Sequence, residues 1–86
     1  MRVADVIEQK LRDAFAPTAL EVIDESHHHA GHAGAPDGGE SHFRVRMTAA
    51  AFEPMNRVAR SRAVHKALAD ELAGPVHALA LELTTP

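Results

Sequence analysis

Gly74-Pro75-Val76-His77-Ala78-Leu79-Ala80-Leu81-Glu82-Leu83 holds both the end of a helix and the start of a strand. Glycine suits a left-handed helix C-cap and proline cannot continue a helix, so a helical pattern stops at Gly74-Pro75. Alternation follows at once. His77, Leu79, Leu81 and Leu83 fall on one side, and Val76, Ala78, Ala80 and Glu82 on the other, which predicts a closing strand over 76–83. His77 opens the apolar side of that strand at its edge, where a ring can pack on one side and reach solvent on the other.

Working upstream, Val64, Ala67, Leu68 and Leu72 make the buried stripe of a helix over 61–73, with Arg62, Lys66 and Asp70 as its solvated row. A short helix over 54–60 precedes it, after a connection over 49–54. Phe43, Val45 and Met47 alternate with His42, Arg44, Arg46 and Thr48, a strand that pairs back on a half-buried strand over 18–24 built on Leu20 and Val22. Between these strands lies a loop over 26–41, punctuated by Gly31, Gly34, Pro36, Gly38 and Gly39 and carrying His27, His28, His29 and His32. Loops of this length in small domains are often functional. Val3, Val6, Ile7, Leu11, Ala14 and Phe15 recur at helical spacing and predict an amphipathic helix over 3–15, ended by Pro17. The order α-β-β-α-α-β predicts an α+β two-layer domain, with a three-stranded sheet and its helices on one face.

The 86 residues form one domain over 1–86. With three Phe and no Trp or Tyr, its core is mostly aliphatic. There is no Cys, so neither a disulfide nor a thiolate ligand can come from this chain. No apolar run approaches the roughly 20 residues of a membrane span, and the N-terminus lacks the apolar segment of a signal peptide. A cytoplasmic protein, monomeric when isolated, is expected. The net charge of −3 excludes a strongly basic nucleic-acid binder. Yet residues 44–66 hold Arg44, Arg46, Arg57, Arg60, Arg62 and Lys66 against Glu53 alone, which leaves room for a local anion-facing patch.

Four stretches resemble the BolA family. They are Leu20-Glu21-Val22-Ile23-Asp24-Glu25-Ser26, Glu40-Ser41-His42-Phe43-Arg44-Val45, Arg60-Ser61-Arg62-Ala63-Val64-His65 with Leu68-Ala69-Asp70-Glu71-Leu72, and Pro75-Val76-His77-Ala78-Leu79-Ala80. Together they span nearly the whole chain in the family's order. The resemblance implies a KH-like (type II) fold and a non-enzymatic partner of a monothiol glutaredoxin, acting in cluster trafficking, iron homeostasis, transcription regulation or the stress response. It further implies that the two proteins share a two-iron two-sulfur cluster. Thiolates come from the glutaredoxin and glutathione, and histidines from the BolA-like chain. His77 matches the family's C-terminal ligand. His29 aligns best as the loop ligand, with His32, His28 and His27 as alternatives. Ser61 stands where many members have His, and no role is carried over to it.

The chemistry is consistent with that assignment. Imidazole binds borderline metals, and two His in place of two Cys on one iron of such a cluster raise its potential. Only the neutral ring ligates, so acid should weaken binding. The plainer alternatives are an edge histidine at position 77 donating to a backbone carbonyl and a solvated polar loop. His42, on the outward side of its strand, reads as a surface residue, and His65 as a partly exposed packing residue. The alternative function is a DNA-binding transcriptional regulator using Arg57, Arg60, Arg62 and Lys66 as a basic helix, although no Gly-x-x-Gly phosphate clamp separates the central helices. The same residues serve as a docking surface in the glutaredoxin case. Ser61 and His65 sit at i, i+4, but no orienting carboxylate or oxyanion site accompanies them.

Overall fold

A computed structural model describes residues 2–26 and 40–86. Helix α1 (Val3–Phe15) leads into strand β1 (Ala19–Asp24), followed by β2 (His42–Thr48), a 3₁₀ turn (Ala50–Phe52), α2 (Arg57–Ala67), α3 (Ala69–Ala73) and β3 (Ala78–Thr84). The sheet order is β1-β2-β3. The first pair is antiparallel and the second parallel, so the chain between β2 and β3 crosses over through both later helices.

Strand β2 is central, and its alternation makes the layers. Phe43, Val45 and Met47 point inward and are buried, as Val45 meets Val22 on one side and Leu81 on the other. Ile7 and Leu11 from α1, Val64 and Leu68 from the crossover, and Phe52 from the 3₁₀ turn close over that row. Phe52 also packs against Phe15 with ring centroids 5.1 Å apart. Lys10 Nζ lies 2.9 and 2.8 Å from the two Glu71 oxygens and ties α3 to α1.

The outward side of the sheet is charged. Arg46 faces Glu21 on β1 and Glu82 on β3, while Arg44 reaches Glu25 and Glu82, all within 3.0–3.5 Å. Hydrogen bonds from Arg46 and Arg44 hold the Glu82 carboxyl below its ordinary pKa. Two of the six cations in the basic stretch are therefore matched by acids on neighbouring strands and do not add to a patch on the helix.

Three local expectations are corrected. The crossover does not divide into helices over 54–60 and 61–73. Asn56 caps the helix, its Oδ1 accepting from the Ala59 N–H at 2.8 Å, so α2 starts at Arg57. The interruption falls at Leu68 instead. There the Leu68 N–H still reaches the Val64 carbonyl and the Leu72 N–H the Leu68 carbonyl, both at 3.0 Å, so the axis continues almost unbroken. Second, Gly74 is not left-handed: its φ is −114°, and Pro75 ends the helix. Third, β3 begins at Ala78, two residues later than the alternation predicts.

The left-handed cap lies instead at Ala16 after α1, with φ 46° and its N–H on the Arg12 carbonyl at 3.0 Å. An L-residue with a Cβ is disfavoured there. Ala16→Gly is expected to raise stability by about 0.5–1 kcal/mol, measured by urea unfolding; an unchanged midpoint would count against this strain.

Candidate metal centre

The site is built at the end of the sheet where the 26–41 connection departs. Asp24, the last residue of β1, makes an Asx turn in which Oδ1 accepts from the Ser26 N–H at 2.8 Å. Its other oxygen accepts from the Glu40 N–H at 3.1 Å, so one carboxylate holds both ends of the connection. Glu40 has φ 64°, and its own carboxylate accepts from the Val3 N–H at 3.0 Å, anchoring the same stem to the start of α1. Ser26 Oγ then accepts from two backbone N–H groups across the stem, those of Ser41 at 2.9 Å and His42 at 3.0 Å. Ser26 and Ser41 are the buried polar residues of the described chain.

Partial burial acts to raise the Asp24 pKa, but hydrogen bonds from Ser26 and Glu40 and the charge of Arg2 outweigh it, and the net shift is downward. The carboxylate therefore stabilises the fold fully above the ordinary value of 3.8, and that contribution is lost as pH falls through the lowered value. Asp24→Asn is expected to destabilise the protein at neutral pH, with the gap to wild type shrinking in acid below about pH 4. Parallel denaturation curves from pH 7 to pH 2 check this, and a constant gap would contradict it.

Ser41 links the stem to the last strand. Its carbonyl accepts from the His77 N–H at 2.7 Å and from the Ala78 N–H at 3.2 Å. Two successive N–H groups on one oxygen interrupt the strand alternation, which is why the predicted phase fails here. Val76, whose N–H still bonds to Glu71 of α3 at 2.9 Å, turns inward and is buried, whereas His77 is exposed. The backbone at His77 is thus fixed while its ring stands in solvent, ahead of the apolar Leu79, Leu81 and Leu83 row rather than in it.

His42 completes the arrangement. It lies opposite Ala78 on β2, and its ring centroid is 6.3 Å from that of His77, at an interplanar angle of 55°. Its Nδ1 is 2.8 Å from Ser41 Oγ. Sequence reasoning placed His42 correctly on the outward side and missed its neighbour. The signal that could have found it is parallel pairing of β2 with β3, which puts the starts of both strands at one end. His27, His28, His29 and His32 lie outside the described residues.

The basic residues separate. Arg57, Arg62 and Lys66 are exposed on α2 and make no ion pair among the described residues. Arg60 turns inward: its Nε–H is shared between the Phe52 and Met55 carbonyls at 3.1 and 3.0 Å, with its guanidinium 5.9 Å from the Phe52 ring centre. It serves the fold and is not available for docking in the way the sequence pattern predicts. His65 Nδ1–H donates to the Ser61 carbonyl at 2.7 Å, so the ring is turned to the backbone of Ser61 and not to its hydroxyl.

The donor set fits a shared cluster in one respect. The chain has no thiolate to offer, and an exposed imidazole held by its backbone at a loop stem can enter the open position of a metal bound elsewhere. Among the described residues no group of three or more His, Asp or Glu is arranged around a common metal position. No described helix is long and apolar enough to cross a membrane.

Comparison with known proteins gives consistent matches. Residues 11–86 match the profile of BolA-like proteins. The chain is 49% identical over 84 residues to BolA-like protein 1 of Mus musculus, covering 98% of this chain but 58% of that one. It is 47% identical over 83 residues to a Vibrio cholerae protein named DNA-binding transcriptional regulator BolA, covering 96% and 74%. Among solved structures, the BolA domain of SufE1 from Arabidopsis thaliana superposes with a TM-score of 0.86 at 38% identity, covering 96% and 91%. The chain spans little more than half of the mouse relative.

Proposed function

This chain belongs to the BolA family, and from that premise we propose that it is a non-enzymatic iron–sulfur adaptor that binds a monothiol glutaredoxin through a shared two-iron two-sulfur cluster. His77 is one ligand. A loop histidine is the other, His29 first, with His32, His28 and His27 as alternatives. The cluster brings the iron, and the glutaredoxin and glutathione bring the thiolates. This chain contributes neutral imidazole and a docking surface that includes Arg57, Arg62 and Lys66. Trafficking or sensing of iron is the role such an adaptor serves.

The observation that carries this reading is the exposed His77 ring on a backbone pinned to Ser41, at the stem of the histidine-bearing connection, in a chain without cysteine. Ser41 receives the His77 N–H on its carbonyl and gives its own N–H to Ser26, so movement of the stem is felt at the ligand. The test supplies iron, sulfide and glutathione to the chain alone, to a monothiol glutaredoxin alone, and to both. The visible circular dichroism of the glutaredoxin cluster should change on adding the chain, with a one-to-one complex by size exclusion. A cluster assembled on this chain alone, or an unaltered spectrum in the mixture, would contradict it.

A second reading has its own support. Arg57, Arg62 and Lys66 are exposed cations on α2, and the Vibrio relative is named a DNA-binding regulator. If they touch phosphates, duplex binding should weaken with salt, and replacing all three by Ala should lower the slope by up to about 0.9 per lost contact. No complex at low salt would end that reading.

A further inference from the structure

We propose that the outer edge of β3 pairs with the same edge of a second copy of this chain, antiparallel and two-fold symmetric about Leu81. The sheet order β1-β2-β3 leaves no described strand beyond β3. Two hydrogen bonds fix which of its backbone groups face that open side. The Ala78 N–H bonds to the Ser41 carbonyl at 3.2 Å, and the Thr84 carbonyl accepts from the Ala49 N–H at 3.1 Å, both on the β2 side. In a regular ladder alternate residues bond to the same neighbour, so Ala78, Ala80, Glu82 and Thr84 serve β2. Leu79, Leu81 and Leu83 then turn their N–H and C=O groups to the open side. The strand itself carries none of the usual guards of an edge. Ala78–Thr84 holds no Pro or Lys, and its single charged residue, Glu82, is already engaged by Arg44 and Arg46 at 3.1 Å.

The edge is self-complementary in one register. With Leu81 opposite Leu81 of the second copy, Leu79 meets Leu83 and Leu83 meets Leu79, and each pair exchanges its N–H and C=O groups in hydrogen bonds. The leucines of both copies then form one continuous row on the helix side of the sheet, where each is only half-buried in the single chain. A groove of about 260 Å³ lies there, between Arg57 and Ser61 of α2 and Leu81 and Leu83 of β3, and Leu79 of the second copy enters it. On the other side of the sheet, Glu82 comes opposite Ala80 of the second copy, whose β2 neighbour is Arg44. The row across the junction reads Arg46, Glu82, Ala80, Arg44, so the acid lies between cations of two copies and no like charges are opposed. Moving the two-fold to Glu82 would oppose two carboxylates, and moving it elsewhere shortens the overlap. An isologous pairing of this kind closes at two copies. The contact is short, which places it among weak interfaces. The isolated monomer expected from the sequence is the dilute form of this equilibrium.

The experiment follows the full chain by sedimentation equilibrium from roughly 10 µM to 1 mM, the range of weak interfaces. The mean mass should rise from one chain toward two and stop there. In the same dilution series the amide resonances of Leu79, Leu81 and Leu83 should move, and those of Ala80 and Glu82 should move less. Two substitutions test the register. Ala80→Glu places a carboxylate opposite Glu82 of the second copy, twice by symmetry, yet beside Arg44 within its own chain. It should weaken dimerisation about tenfold without lowering the melting temperature. Ala80→Lys places a cation opposite Glu82 and should strengthen dimerisation about threefold or more. A thermal melt of each variant separates lost pairing from lost fold. Equal dimerisation in both variants, a mass that stays at one chain across the range, or one that climbs past two chains by pairing β3 on β1, overturns the proposal. No glutaredoxin is present, so the outcome is independent of the shared cluster.

Discussion

The His77→Ala protein is expected to fold as its parent does and to lose the shared cluster. The His77 ring is exposed, and the interaction that fixes the residue is its backbone N–H on the Ser41 carbonyl, which alanine keeps. Stability should therefore change by no more than about 0.5 kcal/mol. Cluster-dependent affinity for a monothiol glutaredoxin should fall by roughly 10- to 100-fold or more, since losing a partner outside the ligand shell alone costs that much. Titration of the reconstituted glutaredoxin, followed by visible circular dichroism, reads the second effect, and a thermal melt reads the first. An unchanged titration with an unchanged melt would remove His77 from the site.

Ser26→Ala should act in the opposite sense, on the fold before the chemistry. Ser26 is 7% exposed and Ser41 is 2% exposed, and the Ser26 hydroxyl accepts two N–H groups from the opposite side of the stem. Alanine leaves both donors without that partner. Each buried group so stranded costs about 1–3 kcal/mol, and the total expected is about 2–3 kcal/mol because the His42 donor is nearer solvent. For a domain of this size, the melting temperature should fall by about 10 °C or more. Ser26→Thr keeps the hydroxyl and should recover much of the loss. If Ser26→Ala melts with the wild type, the stem is not held by this residue. The loss should also reach the site, because the same Ser41 that Ser26 anchors carries the His77 backbone.

The layers were legible in the residues because they depend on periodicity. The strict alternation of Phe43, Val45 and Met47 and the helical spacing of Ile7 and Leu11 each have one physical solution, and the structure adopts it. Boundaries set by single hydrogen bonds were less legible. Asn56 is a favoured N-cap type, but Pro54 competes with it as a start signal, and nothing in residues 54–61 announces that Arg60 will turn to the Phe52 and Met55 carbonyls. The phase of His77 failed for a similar reason. Alternation assumes a regular ladder, and the shared Ser41 carbonyl breaks it at His77. The neighbourhood of His42 needed the sheet order and the parallel sense of β3, which are properties of the crossover rather than of either strand. Ser26 and Ser41 read as ordinary loop-edge residues, and only their burial shows that they brace the stem.

The central claim is that imidazole nitrogen from this chain binds iron in a cluster whose sulfur ligands belong to another protein. The direct measurement labels this chain's histidines with ¹⁵N, pairs it with an unlabelled glutaredoxin, reduces the cluster and records electron–nuclear double resonance. A ¹⁵N coupling that is altered or lost in His77→Ala is predicted. A reduced cluster in the assembled complex that shows no ¹⁵N coupling from this chain would contradict the account.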